Sequence, residues 1–254
     1  MAWGLHRAVT RRYPGPAALA ADPGHAARLS TYLGDMVKPY GLRLVEGPVT
    51  GQSYGEMAVP LIDELAESDV DLLVLATDVP DITPGRATAT YLSHVCPGGP
   101  LAFGVSDQGR ATGFTGLRLI RDYALPRAML LILEQSELRY DPGVPVHLPA
   151  RHAAVGLLWG EGGERPLLDV QALSDVDDDA LAEALAPYEA GTVVLGGTLA
   201  HLAVKADRVV LADADQPLTG GWTALAETPR DGRVVVLADY DPALRYLCVA
   251  AFGS

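Results

Sequence analysis

The chain has 254 residues, 49% of them hydrophobic, which is enough to bury a sizeable core in one large domain or two packed halves. Its formal charge is −13, and basic residues cluster only within the first dozen positions, which argues against nucleic-acid binding. The sequence contains no run of about 18 apolar residues, so we expect no membrane-spanning segment.

The first 15 residues lack the apolar core of a signal peptide, so we expect a cytoplasmic protein. Cys96 and Cys248 lie in apolar segments and are predicted to be buried, reduced thiols rather than a disulfide. The sequence offers no cysteine–histidine spacing typical of zinc and no glycine-rich phosphate loop. We therefore expect neither a metal nor a cofactor.

The apolar pattern predicts strands that alternate with helices along the whole chain. The predicted strands are 3–9, 42–45, 71–77, 101–105, 127–133, 153–159, 167–173, 192–195, 209–212, 233–238 and 247–251. The predicted helices are 25–38, 53–65, 85–94, 112–123, 174–188, 200–206 and 222–227.

Three of these elements carry more specific predictions. Ser53 and Glu56 have the spacing of a capping box at the start of a helix. The strands 153–159 and 167–173 are predicted to pair antiparallel through the polar turn 161–164. The acidic run 174–180 is interpreted as a helix start, where carboxylates complement the helix dipole, rather than as a metal site.

The succession of strands and helices occurs twice, and no linker divides the chain. We therefore predict an α/β protein, an internally duplicated α/β/α sandwich. Its halves, residues 1–160 and 161–254, would pack as one compact unit.

The most informative stretch is 71–123, where the strand 101–105 ends in a tight polar turn, residues 106–110, before a helix. A strand, a sharp turn and a helix place one side chain in a site at the carboxyl end of the strand. The residues of this turn should therefore decide the function.

Several segments resemble a known family in order and spacing. The segment 69–77 with Pro80-Asp81 resembles a "DIDLLIVAT…PD" strand, and 102–106 resembles the "AFDVS" strand that leads to a nucleophile. The family's following helix is similar to residues 84–92, and a later strand is similar to 152–158. Its closing segment is similar to 219–227 together with 232–253. The pattern is similar to thiolase-fold condensing enzymes of the ketoacyl-synthase III type, over roughly residues 55–253.

This resemblance implies a thiolase-like fold and a Cys, His and Asn that act in acyl transfer and condensation. A thiolate attacks the thioester, and polarised donors hold the developing oxyanion. Each matching position in this chain carries another residue type. The nucleophile would fall at Gly109, Arg110 or Ala111. The His would fall at Gly196-Gly197, with Thr198 and His201 nearby. The Asn would fall at 218–220, and this sequence contains no Asn.

Other side chains near the turn are weaker candidates. Ser106 would be a displaced nucleophile assisted by Asp107 or His94, although a Ser in such a turn more often caps a helix or bonds the backbone. Arg110 would fill the former acyl pocket or bind an anion, or else be an ion-paired turn residue.

The remaining candidates have an ordinary structural interpretation. Cys96 precedes the strand rather than following it, which favours a buried structural thiol. His152 and His201 are each more often core residues than catalytic bases.

The leading hypothesis is a catalytically degenerate ketosynthase-like protein of fatty-acid or polyketide biosynthesis. It would be a non-condensing partner subunit, in a homodimer or in a heterodimer with an active ketosynthase, joined through 101–105 with Phe103 near the interface. Acyl carrier protein or acyl-CoA would be further partners. The alternatives are an acyltransferase or thioester hydrolase that uses Ser106 and Asp107, and a small-molecule-binding homodimer.

Overall fold

The computed structural model describes residues 3–16, 22–45, 47–84, 87–174, 178–188, 191–229 and 232–253. Its strands are β1 (Trp3–Arg12), β2 (Arg43–Leu44), β3 (Leu72–Thr77), β4 (Leu101–Val105), β5 (Arg127–Glu134), β6 (Tyr140–Asp141), β7 (Ala153–Glu161), β8 (Arg165–Ser174), β9 (Thr192–Leu195), β10 (Arg208–Leu211), β11 (Val235–Asp241) and β12 (Tyr246–Phe252). Its α-helices are α1 (Pro23–Val37), α2 (Tyr54–Leu65), α3 (Thr88–Val95), α4 (Thr112–Tyr123), α5 (Asp178–Leu185) and α6 (Gly220–Glu227).

Ten strands form one sheet in the order β10-β9-β11-β12-β8-β1-β7-β5-β3-β4. The two halves of this sheet have the same topology, because β1-β7-β5-β3-β4 and β8-β12-β11-β9-β10 follow the same order in sequence. In each half the three outer strands are parallel, and the next two strands alternate in direction. The predicted internal duplication is therefore confirmed.

Helices α4 and α6 lie between the two halves of the sheet and form the central layer. The buried residues Phe114, Leu117 and Ile120 of α4 recur every three positions, which gives the helix one continuous apolar face. Phe114 packs against Trp222 of α6 with ring centroids 4.9 Å apart. This layer fixes the amino-terminal ends of both helices next to each other.

The outer faces of the sheet have separate cores. Helices α2 and α3 cover the first half, and α5 covers the second. The predicted capping box of α2 is confirmed, since the Glu56 amide donates to Ser53 Oγ at 3.2 Å and the Ser53 amide donates to Glu56 Oε2 at 2.9 Å. Cys96 and Cys248 are buried free thiols, as predicted. No helix in the described ranges is long and apolar enough to cross a bilayer.

The predicted pairing between residues 153–159 and 167–173 is wrong. Strands β7 and β8 do follow each other through a turn, but β1 lies between them and pairs antiparallel with both. Trp3 of β1 stacks on Trp159 of β7 at 5.4 Å between ring centroids. A pairing of strands about 150 residues apart in sequence leaves no trace in the local turn signal that suggested a hairpin.

The predicted helix at 200–206 is also wrong. The chain makes a short 3-10 turn at Gly197–Leu199 and continues without a helix to β10. Leu202, Val204 and Ala206 pack against the outer core of the second half at every second position, the period of extended chain. A seven-residue helix without a packed face is too short to be stable.

Two helices begin later than predicted. The helix predicted at 85–94 is α3, Thr88–Val95, and residues 85 and 86 lie outside the described residues. Helix α5 begins at Asp178 within the predicted acidic run, of which residues 175–177 lie outside the described ranges.

Candidate functional site

The turn after β4 opens into a cavity at the carboxyl ends of β3, β9 and β11. Residues 106–108 lead into a 3-10 turn, Gly109–Ala111, that continues directly into α4. The cavity has a volume of about 740 Å³. Its polar lining comprises Asp78, Asp107, Arg110, Tyr140, His147, Thr198 and Asp241, and its apolar wall includes Leu138, Val146, Leu218 and Leu244.

Arg110 occupies the centre of this site. Its Nη1 lies 3.4 Å from Oδ2 of Asp239 and 3.3 Å from the carbonyl oxygen of Pro217. The side chains of Arg110 and Asp239 are 12% and 6% exposed, so the ion pair is buried. Burial raises the pKa of Asp239 from 3.8 to about 6, although the nearby Arg110 guanidinium opposes that shift.

The backbone of the turn is held by two further carboxylates. The amide of Gly109 donates to Asp78 Oδ1 at 3.0 Å, and the amide of Arg110 donates to Asp241 Oδ2 at 2.9 Å. Gly109 has a φ of +50°, and a Cβ there would overlap the Asp241 carboxylate. Burial raises the pKa of Asp78, and the carboxylates of Asp241 and Asp107 raise it further. Both amides that face the cavity are therefore bonded to carboxylates of the same chain.

At Gly196 and Gly197, where the sequence resemblance expects the family's His, the structure leaves no room for a side chain. A Cβ at Gly196 would overlap the carboxylate of Asp239, and one at Gly197 would lie 2.7 Å from Ala214. The next residue, Thr198, donates from its hydroxyl to the Tyr240 carbonyl at 2.7 Å and lies 3.2 Å from Asp239 Oδ1. Asp239 therefore fills the space that a side chain at position 196 would need.

Leu218 and Thr219, where the sequence resemblance expects the family's Asn, are held by hydrogen bonds to Glu134. This buried carboxylate accepts from the amides of Leu218 and Thr219 at 2.7 and 3.1 Å, and from the Thr219 hydroxyl at 2.6 Å. Gln216 Nε2 adds a bond of 2.9 Å. Burial raises the pKa of Glu134, and these donors oppose the shift. Glu134 therefore holds the loop that leads into α6 and is not among the residues that line the cavity.

Ser106 and Asp107 lie together at the rim. Both are exposed, and the Ser106 hydroxyl donates to Asp107 Oδ2 at 3.1 Å. The predicted helix-capping role of Ser106 is wrong, because the start of α4 has no side-chain cap within the described residues. Asp107 lines the cavity, but Ser106 does not.

The other candidates lie apart from this turn. His94 is exposed at the end of α3, and Cys96 follows it, so both lie at the amino end of β4, opposite Ser106. Burial raises the pKa of Cys96 to about 11, which disfavours its thiolate. The predicted core position of His201 is wrong, because its side chain is exposed after the 3-10 turn; it does not line the cavity either.

His152 is a buried ring, as predicted. Its Nδ1 accepts from the Ser136 amide at 3.3 Å, and its Nε2 has no partner among the described residues. Burial lowers the pKa of His152 below 6.5.

Sequence reasoning missed the two acidic residues that define the site, Asp239 and Asp241, and also His147. A signal for the first two was present, because β11 ends in alternating carboxylates within a strand that is otherwise apolar. A buried carboxylate needs a partner. Which cation would supply that partner depends on the packing of the first half against the second.

The arrangement has definite chemical consequences. The site contains four carboxylates, those of Asp78, Asp107, Asp239 and Asp241, and a single guanidinium, and the amides of Gly109 and Arg110 are already bonded. Such a site is poorly suited to stabilise an oxyanion, which requires free donors aimed at the developing charge. No group of three or more His, Cys, Asp or Glu side chains in the described part of the chain could hold a metal ion.

The fold is similar to several solved condensing enzymes. ChlB3, named as an acyltransferase, aligns over 100% of this chain and 98% of its own with 14% identity and a TM-score of 0.61. AbyA1, a tetronic acid condensing enzyme, aligns over 99% and 100% with 14% identity and a TM-score of 0.64. The 3-oxoacyl-(acyl carrier protein) synthase III of Pseudomonas aeruginosa aligns over 100% and 98% with 16% identity and a TM-score of 0.55.

No family model and no curated protein matches the sequence. At these identities the structural likeness establishes the fold. The predicted thiolase-like α/β fold is therefore confirmed, and its structural neighbours are ketosynthase-like condensing enzymes and acyltransferases.

Proposed function

We propose that this chain is a catalytically degenerate ketosynthase-like protein of the cytoplasm that acts as a non-condensing partner subunit in fatty-acid or polyketide biosynthesis. The observation that carries the proposal is the use of the former catalytic space. Asp239 excludes a side chain at Gly196, and Asp241 excludes one at Gly109. Arg110 fills the centre between them.

The electrostatics support the same conclusion. Acyl transfer from a thioester needs a nucleophile and donors for the tetrahedral oxyanion. Here the amides of Gly109 and Arg110 bond Asp78 and Asp241, so an oxyanion at this turn would lie among carboxylates. The buried ion pair therefore supports a structural role for the site, without a covalently bound acyl group.

The free edge of β4 is the surface through which we propose the subunits pair. β4 is the last strand of the ten-stranded sheet, so one row of its backbone groups has no neighbour in the sheet. Leu101 and Tyr123 are 52% and 48% exposed, and the Phe103 ring lies 5.7 Å from that of Tyr123. An active ketosynthase would supply the catalytic residues and the contacts with acyl-CoA or acyl carrier protein.

The rival function is an acyltransferase or thioester hydrolase that uses Ser106. Its hydroxyl bonds Asp107, but it lies outside the cavity, and His94 lies at the other end of β4. No histidine bonds Ser106 among the described residues. The geometry therefore favours the non-catalytic function.

Intact-mass spectrometry after incubation with acyl-CoA and with acyl-carrier thioesters tests the absence of catalysis. We expect an unchanged mass. An acyl adduct that maps to Ser106 and disappears in Ser106→Ala would overturn the proposal and establish an acyl-transfer enzyme. An adduct that disappears in Cys96→Ala would overturn it as well.

The pairing surface is tested with Phe103→Asp and a matched control, Leu168→Asp. Leu168 is an apolar residue on β8 that is 53% exposed and lies far from the β4 edge. The chain is mixed with an active ketosynthase of the type III fold, and the masses of the species are measured by light scattering after gel filtration. We expect a heterodimer that Phe103→Asp abolishes and Leu168→Asp retains. A monomer in every mixture would contradict the partner-subunit role.

A further inference from the structure

A second cavity, of about 780 Å³, lies on the other side of the loop 216–219. It runs along α6, between the carboxyl end of β1 and strand β10. Gln216 and Thr219 line this cavity, whereas Pro217 and Leu218 of the same loop line the candidate site. The two cavities are thus separate and share one wall.

Four arginines line this cavity, which we call the arginine groove: Arg11, Arg12, Arg151 and Arg208. Its acidic lining residues are Asp213 and Glu227. The chain as a whole carries a formal charge of −13, so a groove with more cations than carboxylates departs from the rest of the molecule. Such a concentration of guanidinium groups in one cavity creates a local positive potential.

Part of this charge is not neutralised within the protein. Arg11 bonds Glu64 at 2.6 Å, and Arg151 forms an ion pair with Asp213. Arg12 and Arg208 are exposed, and their side chains have no hydrogen bond or ion pair among the described residues. In addition, Nε of Arg151 is buried without a partner in the described part of the chain. These donors are free to meet a ligand.

The positive potential comes from the guanidinium groups rather than from the start of α6. Glu134 accepts the amides of Leu218 and Thr219 directly before α6, so a carboxylate already lies at that end of the helix. Removing arginine side chains should therefore remove the site without altering the helix.

We propose that the arginine groove binds a small organic diphosphate. Its volume falls within the range of about 300–1,000 Å³ typical of small-molecule sites. Guanidinium groups bond phosphate oxygens in pairs, and several arginines together suit a ligand with two adjacent charged groups. The proposal concerns a site apart from the former catalytic turn and does not depend on the function proposed above.

Isothermal titration calorimetry of the whole chain with pyrophosphate, ADP and citrate tests the proposal. We expect pyrophosphate and ADP to bind with affinities that fall as salt is added, and citrate to bind more weakly. The variant Arg12→Gln/Arg208→Gln should weaken both phosphates by about tenfold or more, because each arginine contributes charge-assisted hydrogen bonds.

The matched control is Arg43→Gln/Arg118→Gln, which removes the same charge from exposed positions outside the groove. It should bind like the wild type. If both double variants weakened phosphate binding equally, net charge would explain the effect, and the proposed site would be overturned. Binding of citrate as tightly as pyrophosphate would overturn the assignment to phosphate, and no binding of any probe would overturn the groove as a ligand site.

Discussion

The Arg110–Asp239 ion pair can be tested by replacing Arg110 with methionine, which keeps most of the side-chain volume and removes the charge. At an N–O distance of 3.4 Å the attraction is about 5 kcal/mol for an effective dielectric constant of about 20. That attraction only partly offsets burial, because the pKa of Asp239 remains at about 6. The ionised carboxylate therefore costs the folded state about 3 kcal/mol at neutral pH, even with its partner.

Removing Arg110 does not destabilise the folded state by the full energy of this attraction. The pKa of Asp239 rises further, and the carboxyl group takes up a proton near neutral pH. The proton uptake limits the loss on the Asp239 side to about 1–2 kcal/mol at pH 7. The lost bond to the Pro217 carbonyl adds about 1 kcal/mol, so we expect Arg110→Met to destabilise the fold by about 2–3 kcal/mol at pH 7.

The pH dependence is the distinguishing result. In the wild type the folded-state pKa of Asp239 is raised above its ordinary 3.8, so its contribution to stability is lost as pH rises from about 4 to about 6. In Arg110→Met that loss continues above pH 6. The difference in unfolding free energy between the two proteins should be small near pH 5 and should grow towards pH 8 by up to about 1.4 kcal/mol per pH unit.

Urea unfolding followed by circular dichroism across this pH range measures the difference. The double variant Arg110→Met/Asp239→Asn removes both charges and should lose the pH-dependent difference. Arg118→Met, at an exposed position of α4, is the control and should be near neutral. An Arg110→Met protein with wild-type stability at every pH would refute the claim that this pair holds the site together.

Three further results are expected from the same packing. Glu134→Gln should lower stability by about 2 kcal/mol at an unchanged urea m-value, because an amide cannot accept all the donors that the carboxylate serves. Gly196→Ala should lower stability by about 1–3 kcal/mol, because the added Cβ overlaps the Asp239 carboxylate. Gly104→Ala is the control and should change stability by less than about 0.5 kcal/mol, because no atom lies within 4 Å of a Cβ at that position. Equal losses in calorimetric unfolding would contradict this. Burial lowers the pKa of His152 below 6.5, so the unfolded chain binds the proton first and stability should fall as pH drops below about 6.5. In His152→Gln that slope should be reduced, and an unchanged slope in pH-dependent urea unfolding would count against the assignment.

Much of the architecture follows from local pattern. The continuous apolar runs of β3 and β5 identify strands that are buried on both faces, and the three-residue spacing of the apolar side chains in α4 identifies a helix with one packed face. The capping box at Ser53 also depends on neighbours three residues apart. Signals of this kind lie within one segment and need no knowledge of the fold.

The residue types at the turn are likewise a property of the sequence. A turn of Ser, Asp, Gln, Gly and Arg has no thiol, and a chain without Asn cannot place one at the position before α6. The expectation of a vacant catalytic constellation needed only order and spacing along the chain.

Which side chains meet at this turn was decided by tertiary structure alone. Asp239 and Arg110 are separated by 129 positions in the sequence. They meet only because the turn before α4 packs against β11, where the two halves converge. The insertion of β1 between β7 and β8, and the extended chain in place of a helix at 200–206, have the same origin. In each case the free energy of burying and pairing groups distant in sequence outweighs the local preference, and a local pattern carries no record of such partners.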